Sequence, residues 1–303
     1  MKSKKEILLA LLLGVALPSL LLRIAGKQNQ AHDQIDVHSV VIVNGDVTER
    51  MDIEEYLVGV LLAEMPADFE DEALKAQAIA ARTFALHRTM HGSKHPDANV
   101  CTSAICCQGY ISPDAHIESG GTSVCEQKMR DAVNATKGLA LFYEGNIIEA
   151  TYFSSSGGRT EDAKAVWGVS VPYLMSVESI EGDTAFIKET EKEEFCVALG
   201  IPPGEVYIER PTYTVGGGIE RVCINGQTYS GMQLRQKLGL RSTRISFYVG
   251  KDTVQISTTG HGHRVGMSQY GADAMAAQGY NYEEILTHYY TGAAIRPFSV
   301  SEN

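Results

Sequence analysis

Positive charge is what this 303-residue sequence has too little of: 26 Lys and Arg stand against 37 Asp and Glu, a formal net charge of -11. Binding a polyphosphate backbone draws on a basic surface, so this balance argues against nucleic acid as a partner. No repeat of useful length is present, which argues against a stacked array. No G-x-S-x-G elbow surrounds Ser154, Ser155 and Ser156, and no acidic partner is identifiable for His263, so acyl transfer by a serine triad is disfavoured. What is present in quantity is apolar: 44% hydrophobic residues are enough for a packed core, in one large domain or two modest lobes.

Lys2, Lys4 and Lys5 precede an apolar run from Ile7 to Leu22, interrupted by Gly14, Pro18 and Ser19 and closed by Arg23. That is the pattern of a signal peptide or signal anchor, the bland alternative being a buried core helix. No small-x-small cleavage site follows Leu22. The expectation is an uncleaved anchor over residues 1–26 and a polar tether over 27–38. The rest of the chain, 39–298, then lies outside the cytoplasm, with the basic end inside.

Asp52 to Met90 reads as two helices folded back on each other. Asp52 and Glu55 form a capping-box start, and Ile53, Leu57, Val60, Leu61 and Glu64 share a face until Pro66. A second helix begins near Asp71, with Leu74, Ala78, Ala81 and Ala85 on one stripe and little side-chain bulk. Hairpins are expected around Asn44-Gly45 and Glu144-Gly145-Asn146, the second delivering the Ser154 to Arg159 loop, whose Gly157 and Gly158 would let backbone approach a ligand. Residues 178–194 are acidic and weakly patterned, a candidate boundary. Strands mixed with separated helices indicate an α+β fold, with lobes 39–177 and 178–298 enclosing a cleft.

Glu64 sits in the last turn of its helix, against the negative end of the dipole and beside Leu61, Leu62, Ala63 and Met65. Both effects favour the protonated form and suit a general acid; a solvated last-turn glutamate is the plainer alternative. Lys75 and Arg82, on one side of the second helix, are either a solvated basic face or cations directed at a substrate. His95, Cys101, Cys106 and Cys107 could close a tetrahedral zinc site of structural type. A disulfide competes, since six cysteines in an exported chain meet oxidising conditions.

The blocks LLAEMPADFEDEALKAQAIAARTFAL, YFSSSGGRTEDA, VWGVSVPYL, SGMQLRQKLGLRST and GHGHRVGMSQYGADAMA, in that order, resemble the stage II sporulation protein D family. The resemblance implies a membrane-anchored lytic transglycosylase acting on peptidoglycan during engulfment, on the mother-cell side of the septum. Its substrate would be glycan stripped of stem peptides, its partners an amidase and a multi-spanning membrane protein. No cofactor would serve catalysis. It implies Glu64 as acid and base, Lys75 and Arg82 as cleft residues, and Tyr152, Ser154, Ser155, His263, Ser268, Gln269 and Tyr270 as the saccharide groove. Some family members hold zinc in the Cys loop, with His where this chain has Cys106. Arg264 stands where the family usually has Gly, and would cost stability or reshape the loop if the backbone there has positive φ. A non-catalytic glycan-binding scaffold and a lysozyme-type hydrolase are the alternatives.

Overall fold

The structure, a computed structural model, describes residues 37–182 and 185–298. The expected anchor and most of the tether lie outside the described residues, among which no helix is long and apolar enough to cross a membrane.

The chain enters through a hairpin, β1 (Ser39–Asn44) and β2 (Val47–Asp52), turned at Asn44-Gly45. Helix α1 (Ile53–Glu64) follows at once, its first amides, those of Glu54 and Glu55, capped by the Asp52 carboxylate at 2.8 and 3.2 Å. Glu55 does not close the reciprocal half of the box but reaches Arg130 at 2.6 Å. Met65 turns extended and Pro66 stops the helix.

Helix α2 (Asp71–His91) is the axis of the larger core. Its 21 residues span about 31 Å, and Ala73, Ala76, Ala78, Ala80, Ala81 and Ala85 are wholly buried. Such small side chains let five elements approach its surface: α1, α4 (Ser123–Ala135), α8 (Gln269–Ala277), α9 (Tyr282–Tyr289) and β4 (Leu139–Tyr143). Between α2 and α4 run β3 (Val100–Cys101), parallel to β1, and the short α3 (Pro113–Glu118). Strand β4 pairs with β5 (Asn146–Ile147) and with β14 (Ala294–Pro297). The expected second hairpin is thus cut short. Its outgoing strand leaves β4 after Ile147 and reappears as β6 (Tyr152–Phe153), parallel to β13 (Met267–Ser268), and the short α5 (Ala163–Trp167) follows β6.

A second, separate hydrophobic core is built from residues 195–256. It contains β7 (Ala185–Glu191), α6 (Lys192–Leu199), the β8 (Thr212–Tyr213), β9 (Ile219–Ile224), β10 (Gln227–Tyr229) sheet, α7 (Gly231–Leu238), β11 (Arg244–Val249) and β12 (Thr253–Thr259). The acidic stretch read as a boundary thus supplies an edge strand, β7, almost fully exposed and without the alternation that would mark it. From Val265 to Ala293 the chain returns to the first core. The two cores therefore do not divide at one point near residue 177: the second is inserted into the first.

Glycines in the 260–266 loop are needed for protein, not ligand, approach. A Cβ on Gly266, at φ +84°, would lie 2.0 Å from the Thr151 carbonyl, and one on Gly157 would lie 2.5 Å from the Thr259 methyl. Gly157 thus has a packing reason of its own, apart from the expected approach of backbone to a ligand.

Arg264 adopts φ +66°, the left-handed conformation, in spite of its side chain. What holds it there is buried. The guanidinium, fully inaccessible, pairs with Glu161 at 3.3 Å and donates to the carbonyls of Ser156 (2.8 Å), Arg159 (2.8 Å) and Gly216 (2.6 Å). Glu161 in turn accepts from the Gly218 amide and the Thr214 hydroxyl in the β8–β9 turn. Arg264→Gly would recover about 1–2 kcal/mol of backbone strain but strand a buried carboxylate, a loss of about 3–5 kcal/mol. The expected net effect is a destabilisation of about 1–4 kcal/mol, read as a lower urea midpoint; an equal or higher midpoint would contradict this account.

Candidate active site and thiol cluster

Glu64, the last residue of α1, opens into a cavity of 390 Å³ lined also by Tyr152, Phe153, Ser154, Arg235, His261, His263 and Gln269. Ser154 and His261 continue into an adjoining depression with Ser155, Glu181, Arg241 and Tyr270. Together they make a groove whose walls come from both cores.

Two donors fix the Glu64 carboxylate. The Gly109 amide reaches Oε1 at 2.5 Å, and Gln269 Nε2 reaches Oε2 at 3.4 Å. Gly109 is needed for this contact, because a Cβ there would stand 2.8 Å from Oε1. The neighbouring Gln108, fully buried, accepts from the Tyr152 hydroxyl (2.8 Å) and donates to Tyr56 (3.0 Å), whose ring stacks on Tyr110. Burial, with Glu64 nearby, pushes the Tyr56 and Tyr152 hydroxyls well above their usual value, so they remain hydrogen-bonding neutral groups. Gln108 and Gly109 were not singled out from the sequence; neither titrates, and no local pattern marks them.

The other acid in the groove is committed elsewhere. Glu181 accepts the Ser156 amide, the Ser179 hydroxyl and the Ser268 hydroxyl. Burial pushes its carboxyl upward, but these bonds outweigh it and hold the group below the usual range. Asp68 and Glu70 are exposed, Asp71 faces Lys128, and Glu72 binds Lys75 and the Tyr282 amide.

Of the expected groove residues, Tyr152, Ser154, Ser155, His263, Gln269 and Tyr270 are there. Three are not. Ser268 is fully buried, capping α8 at the Gly271 amide. Arg82, 1% exposed, spends its guanidinium on Glu54 (2.5 Å) and the Leu139 and Val133 carbonyls, because its side of α2 meets α1, α4 and β4. Lys75 pairs with Glu72 at 2.6 Å at the start of α9. Two other cations, Arg235 and Arg241, line the groove instead.

The four ligand atoms of His95, Cys101, Cys106 and Cys107 lie within 4.8 Å of one another. The His95 Nε2 to Sγ separations are 3.5 Å for Cys106 and 3.4 Å for Cys107. Zinc–sulfur and zinc–nitrogen bonds at a tetrahedral angle require about 3.6 Å, so this donor set fits a tetrahedral soft-metal site. All six cysteines are free thiols. Burial raises the Cys107 thiol to about 11, so a metal taken up there would displace a proton.

Groove and thiol cluster together define a mixed α/β protein with a carboxylate, Glu64, held by neutral donors in an aromatic-walled cleft. Comparison with known proteins gives the family. A family model described as Stage II sporulation protein, SpoIID, matches residues 44–143. Stage II sporulation protein D of Bacillus subtilis is 39% identical over 257 residues, 82% of this chain and 75% of that one. Its counterpart in Bacillus amyloliquefaciens is 37% identical over 262 residues, with the same coverage. The amidase enhancer of Bacillus subtilis is 28% identical over 302 residues, 80% of this chain and 40% of that protein. The chain belongs to the stage II sporulation protein D family and is a sporulation protein, as the sequence blocks implied.

His263 is wedged between Phe153 and Trp167, ring centroids 5.7 and 5.4 Å away, and its Nδ1 accepts the Val265 amide. Burial, then the Arg235 charge, lowers its pKa from 6.5 to about 4. The folded protein therefore keeps His263 neutral with the proton on Nε2, while the unfolded chain takes a proton below about 6.5. Stability from this group is complete above pH 6.5, falls between 6.5 and 4, and levels off below. Melting curves across that window should show a steeper acid loss for the wild type than for His263→Gln; superimposed slopes would refute the assignment.

Proposed function

We propose that this protein is a lytic transglycosylase that cuts peptidoglycan glycan strands during sporulation engulfment, with Glu64 as its single acid and base. The observation that carries this reading is one carboxylate, Glu64, that lines the cavity and is held by two neutral donors without an ion pair, in a groove whose other acid is taken up by three donors. Hydrolytic glycosidases use two carboxyl groups, the second activating water or forming a covalent bond. A lytic transglycosylase needs one: Glu64 protonates the glycosidic oxygen, and the muramic acid 6-hydroxyl attacks the anomeric carbon while returning its proton to Glu64. Atoms balance without water, and the product end is a 1,6-anhydro sugar. The two-lobed cleft, the anchor over residues 1–26 and the extracytoplasmic position belong to this reading, as do an amidase and a multi-spanning membrane protein as partners.

The amidase-enhancer relative favours a second reading, a glycan-binding scaffold that recruits an amidase without cutting. Glu64→Gln separates them. On the enzymatic reading it lowers anhydro-product release from denuded glycan by at least about 100-fold, seen by mass spectrometry, with an unchanged melting temperature. Full activity eliminates the assignment, and reducing muramic ends from the wild type would point to hydrolysis.

Zinc is the ion proposed for His95, Cys101, Cys106 and Cys107. Four protein ligands leave no open position, so its role is structural. It would clamp the loop that delivers Gln108 and Gly109 to Glu64. Elemental analysis of protein purified without chelator should give about one zinc per chain, and Cys107→Ser should lower both zinc content and melting temperature. Zinc absent from both, with blocked thiols, would favour a disulfide.

A further inference from the structure

Strand β11 stands at the end of its sheet, whose order is β11-β12-β7. The alternation of ladder bonds decides what its outer edge presents. Gly250 donates to the Thr253 carbonyl at 2.9 Å at the hairpin end, and Lys192 donates to the Asp252 carbonyl at 3.0 Å where β7 ends. With Val249 opposite Val254 and Val254 opposite Thr190, these bonds turn Ser246 and Tyr248 toward β12. The amides and carbonyls of Ile245, Phe247 and Val249 therefore point outward, and no partner for those three amides is present among the described residues. Facing this edge is the 208–213 segment, tied to β9 by Glu209 donating to the Cys223 carbonyl and Asn225 to the Tyr207 carbonyl, both at 3.0 Å. Between the two lies a slot of 490 Å³. It is closed at one end, where Ile219 donates to the Thr243 carbonyl at 2.8 Å, and open along β11 from there. Its floor is the second core itself, left partly uncovered at Ile208, Phe247 and Val249. Three tyrosines stand at its rims, Tyr207, Tyr213 and Tyr248, exposed by 71, 53 and 69%. Natural sheet edges are ordinarily blunted by charge, proline or a bulge, yet residues 245–249 carry neither charge nor proline.

We infer that this slot is a docking site for an extended segment of a partner protein, which adds to β11 as the fourth strand of its three-stranded sheet. The wall at 208–213 selects the kind of occupant. The edge of a folded sheet brings its next strand about 4.8 Å behind it, where the wall stands; a segment with nothing behind it enters freely. Ile245 to Val249 measure about 14 Å of strand, which accepts roughly five or six residues. Alternate side chains of the segment meet the apolar floor, so they are themselves apolar. The Glu209 carboxylate is engaged with the Cys223 thiol, and Arg210, lining the slot, has no carboxylate partner among the described residues. An acidic residue in the segment complements it. No residue lining this slot lines the Glu64 groove, so the site stands independently of the glycan-cutting reading.

Amide exchange of the full-length protein, read residue by residue, tests this with six synthetic hexapeptides that alternate valine and threonine and carry a glutamate at each position in turn. In the protein alone, Ser246 and Tyr248 should exchange slowly and Ile245, Phe247 and Val249 fast. At about 1 mM, a concentration suited to a short segment, at least one peptide should slow those three amides about 10-fold. Methylating the backbone nitrogens along one edge of that peptide should abolish the slowing, and Arg210→Gln should weaken binding about 2–5-fold. Slowing that persists with the methylated peptide would mark an apolar contact without strand addition and overturn the inference. No slowing with any of the six overturns it as well. Slow exchange at the three amides in the protein alone, if relieved by removing residues 1–36 or by dilution, would give the slot to this chain's own N-terminal segment or to a second copy, and the partner reading would fall.

Discussion

The buried Arg264–Glu161 pair is the joint on which the geometry of this protein depends. One partner sits in the loop that returns the chain to the first core, and the other stands at the end of the Ser-Gly loop. Arg264 also donates to the Ser156 and Arg159 carbonyls of that loop, and the pair's other bonds go to Gly216, Gly218 and Thr214 of the inserted core. A joint of hydrogen-bonded charge is directional where apolar contact is not. It fixes the β8–β9 turn against the 156–161 segment, and through it the face of α7 that turns toward Glu64. A desolvated ion pair adds little net stability and is costly to break. Its contribution is to fix one arrangement of the two cores, and the left-handed backbone at Arg264 is tolerated because four neighbouring groups hold its side chain.

Glu64 is held by parts of the chain that meet only in the fold. Its helix places the carboxylate at the rim, the Cys loop supplies the Gly109 amide, and the first residue of α8 supplies Gln269. Helix α8 is in turn set by Ser268, whose hydroxyl caps Gly271 while donating to Glu181. Glu181 ties that cap to the Ser156 amide, so the two loops forming the groove wall share one anchor. A metal in the thiol cluster would act on the opposite wall in the same sense, limiting the freedom of the five residues from Cys106 to Tyr110.

The helical hairpin was legible in the sequence because caps, a proline stop and 3.6-residue periodicity all act locally. The groove side chains at 152–155 and 263–270 were legible only through the resemblance. Arg82 shows why: its spacing puts it on one side of α2, but nothing in a helical period says which neighbour that side meets, and Glu54 with two carbonyls claims it. Strand β7 escaped because an exposed edge strand has no buried face to impose alternation. Parallel β6 and β13 are two residues each and over a hundred positions apart, so no turn announces them. Arg235 and Arg241 were not singled out from the sequence, since nothing local marks them. Only the insertion of one core into the other brings them beside Glu64.

A residue that must both give and regain a proton needs partners that suit both states. The Gly109 amide is a fixed donor and can serve only an acceptor oxygen. Gln269 is different: its side chain offers Nε2–H to the carboxylate as it stands, and a half-turn of the amide offers its carbonyl to a protonated Glu64 instead. A histidine in that place would bring a second titrating group, and a lysine or arginine would hold the carboxylate in one charge state. Burial and the Arg235 charge lower the pKa of both groove imidazoles, His261 and His263, and Arg241 adds to the effect at His261. On the proposed reading, the groove confines proton transfer to Glu64 by surrounding it with groups that hydrogen-bond without titrating.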